Sequence, residues 1–124
     1  METKSLYERL GGYDAIAAVV DDLLQRLLSD PQVGVYWKGH NNDSKKRDRQ
    51  LLVDYMCQVA GGPVVYTGCD MKTAHAGLGI SESDWQMTAG HLIATLEKLR
   101  VPEPEKQEVL TFVSSLKRDI VETA

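Results

Sequence analysis

The chain is poor in the residues from which several common sites are built. Its 124 residues include two cysteines, three histidines, four prolines and one phenylalanine. Cys57 and Cys69 form no C-x-x-C pair, and a Cys/His zinc cage fails for lack of ligands. Both are expected to be free thiols, buried or half-buried, in a chain that needs no disulfide. His40, His75 and His91 contain no i, i+4 pair, which excludes an H-E-x-x-H zinc site. There is no G-x-S-x-G elbow and no P-loop. No apolar run reaches transmembrane length and no signal peptide follows Met1, so a cytoplasmic protein without membrane contact is expected. Positive charge is not in excess. The formal net charge of −4 argues against nucleic acid or anionic lipid as a partner. The local exception is "KKRDR", Lys45 to Arg49, read either as a solvated helix face or as a grip on an anionic group.

What remains is helix-forming sequence. Apolar residues make up 43% of the chain and charged residues 26%, the balance of one globular domain spanning residues 1–124. "SLYERLGG" opens with a capping box, Ser5 and Glu8, and stops at Gly11-Gly12. Asp14 is expected to cap the next helix, where Ile16, Val19, Val20, Leu23, Leu24 and Leu27 keep one face apolar. Asp30-Pro31 ends it, and Pro31 suits the first turn of a brief helix reaching Trp37. A loop follows, then a long helix from about Ser44 to Ala60, striped by Leu52, Tyr55, Met56 and Val59. Gly61-Gly62-Pro63 breaks it. Val64 to Cys69 reads as irregular, with a short strand at Val64–Tyr66 lacking any partner. Asp70 to Ala76 is at most a two-turn helix, ended by Gly77 and Gly79. Ser81 or Ser83 starts the next helix, striped by Trp85, Ala89, Leu92, Ile93, Leu96 and Leu99. Pro102 and Pro104 precede a last helix lined by Val109, Phe112, Val113, Leu116 and Ile120. The fold class is all-α, with four long helices and short extra ones.

The histidines differ in setting. His40 lies in a polar loop and reads as solvated. His91 sits beside a core stripe, where a hydrogen-bonded or exposed structural role fits. His75 stands in "MKTAHAG", with Met71 four residues before it, Ala74 and Ala76 beside it and Gly77 after it. One face of this short helix is apolar and sterically open. A single axial metal ligand needs such a face, although a lone histidine is ordinarily structural.

The order "SLYERLGG", "VYWKG", "AGGPVVYTG", "MKTAHAGLGIS" and "AGHL…VP" resembles the group I truncated haemoglobins. The likeness runs from about Ser5 to Pro102. Its specific part is the joint occurrence of GG-P-x-x-Y-T-G and M-K-x-x-H in order. The resemblance implies a truncated globin, a two-over-two helical sandwich around haem b with a very short proximal helix. It implies His75 as the iron ligand, its second ring nitrogen held by a backbone carbonyl or water. It also implies haem contacts from Met71, Ala74, Leu78, Ile80 and Trp85 on the proximal side, from Tyr66 in the preceding loop, and from Trp37 with its neighbour Tyr36. Lys45, Lys46, Arg49 and Lys72 become candidate partners of the haem propionates.

On the distal side the sequence departs from the family. Group I proteins typically place a tyrosine on the second helix and glutamines on the third, where they hydrogen-bond bound oxygen. Here Leu24 stands at the tyrosine position, with Leu52 and Asp48 at the glutamine positions. A leucine donates nothing, and an ionised aspartate only accepts. Tyr55, one turn from Leu52, is the remaining donor, so a mainly apolar pocket is expected. The function implied is reversible binding of oxygen, carbon monoxide or nitric oxide, with oxygen transport among the uses, by a monomer. The enzymatic alternative is nitric oxide dioxygenation or a peroxidase-like reaction, which needs a separate reductase. A haem-free helical interaction module would leave His75 without a purpose. The covalent histidine–haem link of some cyanobacterial members cannot form in the same way, because Glu105 to Thr123 contains no histidine.

Overall fold

A computed structural model describes residues 4–37 and 39–123; Lys38 of the "VYWKG" motif and the residues next to Met1 lie outside the described part. The elements run α1 (Leu6–Leu10), α2 (Tyr13–Ser29), a 3-10 turn (Gly34–Trp37), α3 (Asn42–Val59), α4 (Met71–His75), α5 (Glu82–Lys98), α6 (Glu103–Ser115) and α7 (Lys117–Ile120). No strand is present among the described residues, and Val64–Tyr66 is irregular. With no partner strand in reach, that segment has nothing to pair with.

The helix ends follow local chemistry. The Ser5 hydroxyl accepts from the Glu8 amide at the start of α1. Asn41, not Ser44, caps α3, and Ser44 is the third residue of a reciprocal capping box. Asp14 does not cap α2: the helix begins one residue earlier, after Gly12. Gly11 and Gly12 both have positive φ, +112° and +86°, a turn that an L-aspartate cap would resist. The last helix is two helices, broken at Leu116.

Two apolar clusters hold the layers together. Ile16, Ala17, Val20, Val53, Cys57 and Ala60 join α2 to α3, with Leu24 and Leu52 packed against them. Leu92, Leu96 and Val109 join α5 to α6, with Val19 and Leu23 of α2 against them. The pairs α2/α3 and α5/α6 therefore lie over one another, the two-over-two arrangement implied above. The Tyr7 ring of α1 lies on the backbone of Gly62, where any side chain would collide with it. An apolar cavity of about 60 Å³ remains at the seam, lined among others by Leu10, Val20, Met56, Leu96 and Phe112. Ile93 and Leu99, expected in the α5 stripe, are exposed at its edges.

Polar contacts tie the 3-10 turn to α5. Asp84 is 8% exposed and accepts from the Tyr36 hydroxyl (2.5 Å), the Gln32 amide (2.8 Å) and the Ser81 backbone N–H (3.1 Å). The Tyr36 hydroxyl does most to hold its carboxyl well below the usual 3.8, at about 2. This stabilisation is complete above the ordinary value and is lost as pH falls through about 2. Asp84→Ala leaves the half-buried Tyr36 and Ser81 donors without their partner and is expected to cost about 1–3 kcal/mol in a urea melt at neutral pH. The cost should shrink as the pH is lowered toward 2. A cost independent of pH over that window would contradict the assignment.

Candidate functional site

Helix α4 is five residues long and is capped by Asp70, whose carboxylate accepts from the Thr73 amide (3.3 Å). The Thr73 side chain does most to hold the Asp70 carboxyl below its usual range, and the Thr73 amide adds to it. His75 closes the helix and is half-buried. Its Nδ1 lies 2.8 Å from the Met71 carbonyl oxygen. A carbonyl only accepts, so Nδ1 carries the proton, and in the neutral ring the lone pair is left on Nε2. An imidazole in that tautomer is a ready metal ligand with its orientation already set.

The surroundings suit a metal already held in an organic ring better than a bare ion. No cluster of three or more His, Cys, Asp or Glu side chains able to hold an ion occurs among the described residues. The stretches flanking α4 instead leave large apolar side chains uncovered. Val65 before it is 75% exposed and Leu78 after it 45%. Met71, Ile80 and Trp85 are half-buried, while Lys72 and Ala74 are exposed. A flat apolar group would bury what the chain alone leaves in water.

Tyr66 is braced in the loop before α4. Its amide donates to the Gln58 side chain (2.5 Å) and its hydroxyl to the Cys69 carbonyl (2.6 Å). The edge of its ring meets Tyr55 of α3, centroids 5.0 Å apart at 75°. Tyr55 also lies 6.1 Å from the Phe112 ring, and burial pushes its phenol up. Leu24 and Leu52 are both half-buried and share the α2–α3 cluster. Asp48 is half-buried on α3 and faces His40, with Oδ2 3.2 Å from Nδ1. His40, read as merely solvated, therefore has a partner. His91 is bonded through Nε2 to the buried Asp30 (2.7 Å), a structural role as expected.

Other candidates are engaged elsewhere. Arg49 forms a two-point contact with Asp21 of α2, at 2.6 and 3.1 Å. Lys45 and Lys46 are exposed on the first turns of α3. The Tyr36 hydroxyl belongs to Asp84, while Trp37 ends the 3-10 turn half-buried. Cys69 is exposed, contrary to the half-buried thiol expected, because the loop that carries it leaves it on the surface. Cys57 is fully buried. Residues the sequence reading passed over include Asp84 and Glu122. The S-x-x-D spacing of Ser81 and Asp84 was a usable capping signal, whereas nothing local marks Glu122.

Comparison with known proteins agrees with this geometry. The sequence pattern of the bacterial-like globins matches residues 5–122. The chain is 34% identical over 119 residues to the group 1 truncated haemoglobin of Mycolicibacterium paratuberculosis, covering 96% of this chain and 85% of that one. The solved truncated haemoglobin of Tetrahymena pyriformis in its Fe(III) form superposes with a TM-score of 0.86 at 25% identity, covering 95% and 98% of the two chains. The 2/2 haemoglobin of Synechococcus, in the cyanomet state with covalently attached haem, gives 0.85 at 27% identity with the same coverage. With the family pattern spanning residues 5–122 and the helices and layers superposing on these solved structures, the chain belongs to the bacterial-like globin family, among its group 1 truncated haemoglobins.

Proposed function

We propose that the chain binds haem b through His75 and holds a diatomic ligand on the opposite side, beside Leu24, Leu52 and Tyr55. When bound, the haem would supply an iron able to take up oxygen, carbon monoxide or nitric oxide. The observation that carries the reading is the Nδ1–H bond of His75 to the Met71 carbonyl, which leaves Nε2 available. Met71, Ala74, Leu78, Ile80 and Trp85 would meet one face of the haem, with Tyr66, Trp37 and the Tyr36 ring at its border. Lys45, Lys46 and Lys72 would serve the propionates, each contributing about 0–1 kcal/mol as an exposed pair. Arg49 would have to leave Asp21 to do so. The direct experiment is an absorption titration with haem. A Soret band that saturates at one equivalent supports the proposal, and no band overturns it.

The distal residues set how long a ligand stays. Leu24 and Leu52 exclude water but donate nothing, and His40 draws on the Asp48 carboxylate. Tyr55 is the donor of this group through its phenol O–H. A single hydrogen bond of about 0.5–1.5 kcal/mol corresponds to about a two- to tenfold change in rate. Tyr55→Phe is therefore expected to speed oxygen dissociation about two- to tenfold in stopped flow. An unchanged rate removes Tyr55 from the ligand's surroundings.

This reading favours a reversible carrier in the cytoplasm acting as a monomer. It is consistent with the absence, among the described residues, of a helix long and apolar enough to cross a membrane. Consumption of nitric oxide in air, with an external reductase supplied, is the measurement that separates a carrier from a dioxygenase.

A further inference from the structure

After α7 the chain turns back along the loop that follows α4. The Glu122 amide donates to the Ile80 carbonyl (2.8 Å), and the Glu82 amide donates to the Thr123 carbonyl (3.1 Å). Ser81 and Thr123 form an isolated parallel bridge. Lys117 of α7 reaches Glu82 at 2.6 Å. This pairing brings the Glu122 carboxylate over the turn at residues 77–79. One oxygen accepts from the Gly77 amide (3.1 Å) and the other from the Gly79 amide (2.8 Å). Both glycines lie in the left-handed region, φ +81° and +69°, with open space where a side chain would stand. Conformation, not crowding, asks for glycine there, and amides in such a turn converge on one anion. The Gly77 and Gly79 amides hold the Glu122 carboxyl below its usual range.

We propose that Glu122 is a positioning residue for His75: its carboxylate pins the turn two residues beyond the imidazole and fixes the angle at which the ring meets the haem. The inference rests on the haem reading above. The ring's only hydrogen bond among the described residues goes to Met71, within its own helix. Its orientation relative to the rest of the molecule is therefore set by whatever fixes α4. Helix α4 has five residues, too few to hold its own direction. Asp70 secures its first turn. Its last residue leads directly into the turn that Glu122 holds, and α7, which carries the tail, is the helix α4 packs against.

The test compares wild type, Glu122→Ala and Glu122→Gln, each as the full chain, with and without haem. All three should form a Soret band. In ferrous resonance Raman spectra the iron–histidine stretching band of Glu122→Ala should shift or broaden. Glutamine keeps one acceptor oxygen and should restore the band in part. Haem transfer to excess apomyoglobin should be about tenfold faster from the alanine variant, the scale of losing one charge-assisted bond. In the haem-free protein, exchange of the Gly77 and Gly79 amides should quicken in both variants. If Glu122→Ala melts earlier yet keeps the wild-type band and transfer rate, the tail is structural only and the positioning role is overturned. If the alanine variant does not fold, an unaltered band in Glu122→Gln overturns it. A wild type that takes up no haem overturns the haem reading itself and this role with it, and is told apart by the missing Soret band.

Discussion

His75→Ala is expected to abolish the sharp Soret band of the haem-loaded protein and to weaken haem binding by roughly a hundredfold or more. Loss of a group that merely supports a metal ligand already costs about 10–100-fold in affinity, and here the ligand itself is removed. The substitution should do little to the haem-free fold. His75 is half-buried at the end of a five-residue helix and makes one local hydrogen bond. The unfolding free energy from urea melts should therefore stay within about 0.5–1 kcal/mol of wild type. Free imidazole, added to the alanine variant with haem, should restore the band by occupying the vacated space. A variant that binds haem as tightly as wild type would show that another side chain holds the iron. In that case the Met71–His75 hydrogen bond would be a helix-end contact and nothing more.

Much of this arrangement was legible because local rules and distant packing agree. The apolar spacing of Ile16, Val20 and Leu27 predicts one buried face, and these residues are buried. The glycine pair at Gly61-Gly62 ends α3 for two separate reasons. Gly61 takes φ +89°, and Gly62 receives the Tyr7 ring. His75 was not legible alone. Its meaning came from the other motifs in order, and the structure adds the Met71 carbonyl oxygen beside Nδ1, which no spacing reports.

What the sequence hid depends on pairs distant along the chain. Asp84 reads as an ordinary capping residue, yet it gathers Tyr36 and Gln32 from across the domain. Arg49 reads as a free cation in a basic cluster until Asp21 of α2 is found beside it. Asp48 reads as a distal residue alone, without the His40 that faces it. Glu122 lies 45 residues beyond Gly77, and no periodicity links the two. Each of these is a charged or polar side chain whose partner is chosen by tertiary packing. Hydrophobic periodicity says where such a side chain does not go, and little about what it meets.

The second large effect is expected at Leu24, which we propose lies across the haem from His75, at the position where the resemblance implies a tyrosine. Leu24→Tyr should slow oxygen dissociation about tenfold, the upper range for one hydrogen bond formed in an apolar pocket. Carbon monoxide is less polar than oxygen when bound and should be held back much less, so the ratio of the two rates should change. The larger ring must be accommodated beside Leu52 and the α2–α3 cluster, at a cost of about 1–3 kcal/mol in stability. Leu24→Phe brings nearly the same bulk without the hydroxyl and separates the two contributions. If phenylalanine slows oxygen as much as tyrosine, the ring is obstructing the exit and no hydrogen bond has been gained. If neither variant changes the rate, Leu24 does not face the ligand and the apolar pocket is bounded by other residues. A slow rate with tyrosine alone would mean that the wild-type protein lets oxygen go because its second helix presents a leucine. It would then be built for exchange of small ligands rather than for their retention.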